Sequence, residues 1–387
     1  MKSFHFRFTL AILGIMVLLS GCSQGDTTRE PDLPQITTAE WPTGGWQTST
    51  PESQGMDSRV LEAMLETVQN QNYNIDSITV IRNGYLVLDA SVYPYTQDTK
   101  HIIHSCTKSI VSILIGIALD QGFIEDVQTP VLEFFPDRTA SNLDSDKKAL
   151  TLENLLTMTS GFKCRDSYLY RWSGLNDLRE SDDWVQFMLD LPMEETPGTK
   201  FEYCNGASFL LSAIITEITG LSSNEFAEIN LFAPLGITDL SWPTNPQGIN
   251  IGWGELRMLP TDMAKIGYLY LGGGVWDGEQ IVPTAWVEDS TRKHISATLE
   301  DGYGYQWWVD DSGIYLALGY AGQFIFVVPE KELVVVFTSD LSDSDFYIPQ
   351  NLLNDYIIPA AASLDPLPKN PAVESALHQL IKELSQP

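Results

Sequence analysis

The chain of 387 residues is long enough to bury a large core in one domain or two, and its hydrophobic content of 43% is typical of a globular protein. Its 51 acidic and 22 basic residues give a formal net charge of −29. This charge argues strongly against nucleic-acid binding, which needs clustered Lys and Arg, and indicates a solvated acidic surface.

The N-terminus has the features of a secretory signal. Lys2 and Arg7 form a short basic region, and the apolar stretch Leu10–Leu19 is too short for a comfortable membrane span. The residues LSGC that end at Cys22 resemble the bacterial lipobox, in which the cysteine is lipidated and becomes the first mature residue. We therefore expect a signal peptide over residues 1–21 and an exported protein, held at the cell envelope by a lipid on Cys22. An ordinary signal peptide with an incidental cysteine is the alternative.

The rest of the chain divides into three parts. Residues 22–45 are polar, contain proline and lack periodicity, which predicts a flexible tether. The main domain is expected over residues 46–365. In the tail, residues 366–387, apolar side chains recur on one helical face, so this segment either packs back on the domain or lies free.

The main domain begins with a helix and a hairpin. Apolar residues at helical spacing predict a helix over residues 56–69. Two strand-like runs, 77–81 and 85–93, flank an Asn-Gly pair, which is a strong signal for a hairpin turn. A long apolar helix over about 104–121 follows.

Helices dominate the middle of the domain, and strands return near its end. We expect the region of about 124–310 to be mainly helical with long loops. The predicted elements are helices at 151–159, 182–191 and 206–219, strands at 314–319, 323–328 and 333–338, and a helix over about 345–362. This order predicts an α+β domain, whose antiparallel sheet pairs the two ends of the domain around the inserted helical region.

The pattern Ser-x-x-Lys occurs four times and is a weak signal by itself. Three occurrences lie in charged segments or are followed by a glycine that interrupts a helix, and they begin at Ser145, Ser160 and Ser290. Only Ser105 and Lys108 head an uninterrupted apolar helix.

The position of Ser105 and Lys108 has chemical consequences. Residues three apart share a helix face, with Cβ atoms ~5–6 Å apart, so Lys108 can reach the Ser105 hydroxyl. Burial lowers the pKa of a lysine, by ~3–5 units in favourable cases, and a neutral amine can accept the serine proton. The N–H groups and dipole at the start of the helix also favour an oxyanion. The alternative is a serine near the N-cap and a lysine whose charged head reaches the surface.

The triplet Tyr203-Cys204-Asn205 is the only Tyr-x-Asn in the chain, and it lies on a turn before another apolar helix. A tyrosine phenol can relay a proton from a nucleophile to a leaving group. An asparagine amide can hydrogen-bond both an amine and a substrate carbonyl. Taken alone, such a triplet is more commonly ordinary turn chemistry.

The cysteine and histidine spacings indicate neither a metal nor a cofactor. Besides Cys22 the chain has Cys106, Cys164 and Cys204, which allow at most one disulfide within the chain, and spacing does not say which pair would form it. Free, partly buried thiols agree with the sequence equally well. No CxxC or HExxH motif is present, and the five histidines are not at metal-ligand spacing.

Together these motifs resemble the serine β-lactamase and penicillin-binding-protein superfamily, in particular its class C-like branch of esterases and amide hydrolases. The sequence SCTK at residues 105–108 matches the first motif and YCN at 203–205 the second, in the expected order. The resemblance covers about residues 50–362. Supporting stretches lie at 78–90, 155–162, 234–242, 259–287 and 319–340. The resemblance implies a β-lactamase/transpeptidase-like fold.

The resemblance also implies a serine hydrolase acting on a small-molecule ester or amide. In such a hydrolase, Ser105 would form an acyl-enzyme and Lys108 would act as base. Tyr203 would shuttle the proton, and Asn205 would position the lysine and the substrate. A D-amino-acid peptidase, an oligoamide hydrolase and a slowly acylating penicillin-binding or sensor protein remain alternatives. A Ser-His-Asp triad is disfavoured, since the chain has no GxSxG elbow.

The third motif of this superfamily is Lys-Thr-Gly or His-x-Gly on the strand that lines the cleft. Here Tyr320 stands where a cation is common. Gly322 keeps the close backbone approach, and the N–H of Gln323 is expected to join that of Ser105 as an oxyanion donor. Without a cation to hold a substrate carboxylate, we expect weak or absent β-lactamase activity and a preference for esters or uncharged amides.

Overall fold

An antiparallel sheet forms the centre of the protein, whose computed structural model describes residues 41–166 and 171–387. The strands of the described part are β1 (Ile75–Arg82), β2 (Tyr85–Ser91), β3 (His101–Ile102), β4 (Arg257–Met258), β5 (Val275–Trp276), β6 (Glu279–Gln280), β7 (Gly302–Tyr303), β8 (Trp308–Val309), β9 (Tyr315–Gly319), β10 (Gln323–Val328) and β11 (Leu333–Ser339). The main sheet has the order β2-β1-β11-β10-β9-β8-β7, whereas β3 pairs with β4 and β5 with β6.

The main sheet joins the two ends of the domain. β1 pairs with β11 in a register that places Val80 opposite Val335. β1 also pairs with β2, and the turn between them has left-handed backbone at Asn83 and Gly84, with φ of 50° and 78°. This conformation suits a type I′ hairpin, which the Asn-Gly pair predicts. The predicted α+β fold, with a sheet built from both ends, is therefore confirmed.

The described part of the chain also contains α-helices, some of which pack against this sheet. They are α1 (Ser58–Gln71), α2 (Cys106–Asp120), α3 (Ser145–Ala149), α4 (Leu152–Leu156), α5 (Ser173–Glu180), α6 (Trp184–Asp190), α7 (Asn205–Thr219), α8 (Ser223–Ala227), α9 (Pro260–Leu271), α10 (Thr284–Ser290), α11 (Ile348–Leu352), α12 (Ile358–Ala360) and α13 (Pro371–Leu384). α9 approaches the sheet closely at Gly267, where the missing side chain leaves room: an added Cβ would lie 2.6 Å from Val334 Cγ1.

The two helices that follow the predicted motifs are buried core helices. α2 is buried from Cys106 to Ala118, and α7 is buried from Asn205 to Ile215. They pack against each other, and α2 also packs on β9 and β10. In the part of the chain that the structure describes, no single helix is long and apolar enough to cross a membrane. The bent pair formed by α7 and Ser223–Phe232 meets that test by length and composition.

Residues beyond both ends of the predicted domain contact it. Trp41 packs its ring on Trp276 at 5.4 Å, and the Trp276 indole N–H donates to Thr43 Oγ1 at 2.7 Å, so the last residues of the predicted tether belong to the domain. The tail forms α13, which packs on α1 and β2 and buries Leu377 and Leu384. The tail therefore packs back, because its apolar face is covered by these neighbours.

The region predicted to be helical over about 124–310 also contains strands. β7 and β8 extend the main sheet, although each has only two residues. A two-residue strand carries no alternating pattern, so the sequence could not indicate it. The predicted signal peptide, Cys22 and residues 22–40 of the predicted tether lie outside the described residues.

Candidate active site

Ser105 immediately precedes α2, at the N-terminus of a 15-residue helix. His104 before it has a left-handed φ of 46°, a conformation that costs free energy in a residue other than glycine and is typical of functional turns. In the first turn of the helix, the Lys108 N–H donates to the Ser105 carbonyl at 3.0 Å. Within the described residues, the Ser105 N–H itself has no hydrogen-bond acceptor, so it is available to a substrate oxygen.

Lys108 lies one helical turn beyond Ser105, with 1% of its surface exposed. Its Nζ lies 3.1 Å from Ser105 Oγ, 2.8 Å from Asn205 Oδ1 and 2.9 Å from the Trp253 carbonyl oxygen. Burial lowers the pKa of Lys108 to about 7, against the opposing effect of the Asp166 carboxylate. The amine can therefore gain and lose a proton near neutral pH.

Tyr203 covers the other side of the lysine. Lys108 Nζ lies 4.8 Å from the centre of the Tyr203 ring, and this ring stacks on Trp308 at 6.0 Å. Burial raises the pKa of the Tyr203 phenol, although its hydrogen bond with Ser105 acts in the opposite direction. The phenol therefore stays protonated at neutral pH, in contact with the Ser105 hydroxyl, and can pass a proton along this contact.

Asn205 begins α7 and is 4% exposed. Its backbone N–H donates to Asp166 Oδ2 at 2.8 Å, so the start of this helix is held by an acid from the segment before α5. Burial raises the pKa of Asp166 to about 6, while the N–H of Asn205 and the charge of Lys108 favour the carboxylate.

A disulfide between Cys164 and Cys204 joins the same two segments. Sequence spacing left the pairing of the cysteines open, and the structure selects this pair and leaves Cys106 as a buried thiol. Cys164, Asp166 and Cys204 place ligand-type atoms within 4.8 Å of one another. They do not form a metal site, because the two sulfur atoms are bonded to each other and offer no thiolate.

The Ser105 hydroxyl opens into a cleft of about 990 Å³. Its aromatic wall comprises Trp172, Tyr203, Trp253, Tyr320, Phe346 and Tyr347. Arg179 is the one Lys or Arg among the described residues that line this cleft. Its guanidinium pairs with Glu255 at 3.4 Å and lies over the Trp253 ring at 5.7 Å.

The turn between β9 and β10 forms another part of the cleft wall. Tyr320 is 56% exposed there and lies edge-on to the His104 ring at 5.6 Å. Gly322 has φ of 89°, which favours glycine. Gln323 is buried, and its carbonyl accepts a hydrogen bond from the Cys106 thiol at 3.5 Å. The start of β10 therefore lies directly against the start of α2.

Gln306 ties the two motif-bearing helices together behind the cleft. Its backbone carbonyl accepts from the Ser109 hydroxyl of α2 at 2.7 Å, and its side-chain Oε1 accepts from the Ser208 hydroxyl of α7 at 2.6 Å. Its amide nitrogen donates to the carbonyl groups of Leu155 and Leu156 in α4. This buried network fixes the relative position of α2 and α7.

A sequence model of the Beta-lactamase family matches residues 61–354, more than half of the chain and a range that contains the whole cleft. The chain belongs to the Beta-lactamase family. The predicted recognition of the serine β-lactamase and penicillin-binding-protein superfamily is therefore confirmed, and so is the prediction of a hydrolase.

Two relatives and one solved structure illustrate the breadth of the Beta-lactamase family. A 6-aminohexanoate-dimer hydrolase of Paenarthrobacter ureafaciens is 25% identical over 314 residues, which cover 75% of this chain and 79% of that protein. A lovastatin esterase of Penicillium rubens is 26% identical over 204 residues, 49% of this chain and 50% of that protein. A family VIII carboxylesterase structure has a TM-score of 0.64 at 15% identity, covering 80% of this chain and 98% of that chain. This last likeness concerns the fold alone.

In this member of the Beta-lactamase family, the structure brings Ser105, Lys108 and Asn205 into one hydrogen-bonded group, with Tyr203 beside Ser105 and Lys108. Of the third predicted motif, Tyr320 lines the same cleft, and Gly322 and Gln323 follow it at the turn into β10. Sequence reasoning missed His104, Asp166, Trp253 and Gln306. Of these, only Asp166 carried a sequence signal, because it lies two residues after Cys164.

Proposed function

We propose that this member of the Beta-lactamase family hydrolyses small uncharged esters or amides through an acyl-enzyme on Ser105. The observation that carries the proposal is the 3.1 Å separation between Ser105 Oγ and the Nζ of Lys108, whose pKa burial lowers to about 7. At pH 7 about half of such an amine is neutral, against about one part in 3,000 for a lysine of ordinary pKa. A neutral amine beside the hydroxyl is what nucleophilic activation requires.

The proposed reaction begins when Lys108 Nζ accepts the hydroxyl proton and Ser105 Oγ forms a bond with the substrate carbonyl carbon. The carbonyl electron pair moves to oxygen, and the N–H groups of Ser105 and Gln323 donate to the oxyanion. As the electron pair returns, the bond to the leaving alcohol or amine breaks. The leaving group takes the proton from Lys108 through Tyr203, which leaves the acyl-enzyme.

Deacylation repeats these steps with water as the nucleophile. Water loses a proton to the Lys108–Tyr203 pair, adds to the acyl carbon, and Ser105 Oγ leaves with a proton. Asn205 orients the base throughout, since its Oδ1 lies 2.8 Å from Lys108 Nζ. The products are a carboxylic acid and an alcohol or amine.

The cleft supports an uncharged substrate. Arg179 pairs with Glu255, and Tyr320 occupies the position where the superfamily commonly has a cation. A substrate carboxylate would therefore be desolvated without a cation beside it. The aromatic wall instead favours apolar groups on the substrate. The two relatives are a 6-aminohexanoate-dimer hydrolase and a lovastatin esterase, and these names support both bond types because two amino acids are commonly joined by an amide.

We also propose export and lipid anchoring through Cys22. The basic and apolar N-terminal segment supports a signal, and the disulfide supports an oxidising compartment. Metabolic labelling with a fatty-acid analogue tests the anchor, since Cys22→Ser is expected to abolish the label. Retention of the label in that variant would contradict the proposal.

A substrate panel tests the proposed reaction. It comprises p-nitrophenyl esters, nitrocefin and D-amino-acid amides, and it compares wild type with Ser105→Ala and Ser145→Ala. Ser145 is the matched control, because it also begins a Ser-x-x-Lys pattern but is exposed. We expect ester turnover by wild type and Ser145→Ala, little turnover of nitrocefin, and none of the ester by Ser105→Ala.

Three outcomes would contradict the proposal. Ester hydrolysis that survives in Ser105→Ala would exclude Ser105 as the nucleophile. Release of one equivalent of p-nitrophenol without further turnover would indicate a slowly acylating sensor. Nitrocefin turnover comparable with that of a simple ester would contradict the preference for uncharged substrates.

A further inference from the structure

The Asp166 carboxylate lies behind the cleft rather than in its wall. It is 3% exposed and is not among the residues that line the cleft. Its Oδ2 accepts the Asn205 N–H at 2.8 Å, and the N–H of Gly206 also contributes a hydrogen bond to this carboxylate. The acid thus holds the first turn of α7, from which the Asn205 side chain reaches the base.

Asp166 acts on Lys108 in two ways. Through Asn205 it fixes the amide whose Oδ1 lies 2.8 Å from Lys108 Nζ. Through space, its negative charge is the largest influence that opposes the effect of burial on the lysine. A buried ammonium without a compensating carboxylate would lose its proton more readily, and the resulting amine would be a weaker base.

The backbone beside Asp166 is joined covalently to the start of α7. The disulfide joins Cys164, two residues before the acid, to Cys204, one residue before Asn205. At the start of α5, a Cβ on Gly174 would lie 1.7 Å from the Cys164 carbonyl oxygen and 3.1 Å from Asp166 Oδ1. The chain therefore places the acid and its hydrogen-bond donor on one covalently closed unit.

The other titratable or charged groups around the lysine are few. The groups of the described residues that face Lys108 or Asp166 are the Cys106 thiol on α2, His104 before it and the Tyr203 phenol before α7. Burial lowers the pKa of His104 and raises that of Cys106 and Tyr203, so all three are uncharged at neutral pH. Asp166 is then the one anion that can balance a protonated Lys108.

We propose that Asp166 is a positioning residue of the reaction, which aligns Asn205 and stabilises the protonated form of the Lys108 base. The proposal rests on the proposed function, because it assigns a role only if Lys108 activates Ser105. It predicts that the charge and the hydrogen bond of Asp166 have separable effects. Asp166→Asn keeps an oxygen that accepts the Asn205 N–H but removes the charge, whereas Asp166→Ala removes both.

The test is the pH dependence of kcat/KM for a neutral p-nitrophenyl ester, measured on the purified full chain. In wild type, kcat/KM is expected to rise with pH through a midpoint of about 7, as Lys108 loses its proton. In Asp166→Asn the midpoint is expected to fall by about 1 unit, the usual effect of one adjacent charge, with a plateau lowered several-fold. Below the wild-type midpoint, kcat/KM expressed as a fraction of its own plateau is expected to be higher in Asp166→Asn than in wild type, because more of the lysine is neutral in the variant.

Asp166→Ala is expected to lose most of kcat as well, because Asn205 is no longer aligned. The matched control is Asp183→Asn, since Asp183 caps α6 through the Gln186 N–H at 3.1 Å and does not influence Lys108. Its pH midpoint is expected to equal that of wild type. If Asp166→Ala does not fold, the isosteric Asp166→Asn decides the question.

An unchanged midpoint in Asp166→Asn would overturn the proposal, and so would an equal shift in Asp183→Asn. Ser105→Ala separates this failure from failure of the proposed function. If Ser105→Ala is inactive while Asp166→Asn keeps the wild-type midpoint, only the role of Asp166 is wrong. If Ser105→Ala remains active, the reaction itself is wrong.

Discussion

Loss of the Cys164–Cys204 disulfide is expected to destabilise the protein by about 4 kcal/mol. The bond joins positions 40 residues apart. In the loop-closure description, a crosslink over this length removes ~13 cal/mol/K of entropy from the unfolded chain, which is ~4 kcal/mol at 25 °C. With ~2.1 cal/mol/K of unfolding entropy per residue over the roughly 340 residues that the structure describes, this free energy corresponds to a decrease in Tm of about 5 °C.

Differential scanning calorimetry of wild type and Cys164→Ser/Cys204→Ser, each with and without a phosphine reductant, measures this effect. Wild type in reductant is expected to melt near the double variant, because the unfolded chain is then no longer crosslinked. The double variant is expected to be insensitive to reductant. Cys106→Ser is the control, since Cys106 is buried but outside the bond, and it retains the sensitivity of wild type to reductant.

Two results would refute this reasoning. A double variant that melts at the wild-type temperature would mean that the crosslink contributes no stability. A double variant that also responds to reductant would mean that another reducible bond is present.

Three further predictions concern the base, the buried network and the cleft. Lys108→Arg is expected to be inactive at any pH from about 5 to 9, because a guanidinium stays protonated there, and the ester assay checks this. Gln306→Ala is expected to cost about 3 kcal/mol in urea unfolding, since the Ser208 hydroxyl and two carbonyl groups of α4 lose a buried partner. An unchanged urea midpoint would contradict that role. Tyr320→Lys is expected to raise kcat/KM for nitrocefin about fivefold, which corresponds to ~1 kcal/mol for a partly exposed ion pair. Tyr320→Phe, the control, is expected to leave it unchanged, and no gain with lysine would mean that the missing cation does not limit this substrate.

Much of the fold follows from local features of the sequence. The Asn-Gly pair predicts the turn between β1 and β2, and the continuous apolar run after Ser105 predicts α2. The i,i+3 spacing of Ser105 and Lys108 places the two side chains on one helix face, and the structure separates their functional atoms by 3.1 Å. These features depend on contacts between residues close in the chain, so a sequence pattern can carry them.

Very short strands escape such patterns. β7 and β8 have two residues each, and their pairing depends on the edge that β9 offers, so they lie in a region predicted to be helical. The amphipathic pattern of α13 predicts a helix, but only the apolar surface of α1 and β2 decides that it packs back.

The environment of the base is likewise decided by tertiary structure. Lys108 binds Asn205, 97 residues away, and the Trp253 carbonyl, 145 residues away. Asp166 and the Cys164–Cys204 bond reach the same place from a third segment. By itself, the sequence determined the fold class, the motif residues and their order in the chain. Only the packing of α7 and two loops against α2 decided which groups surround the lysine, because burial and charge act through distances that chain spacing does not encode.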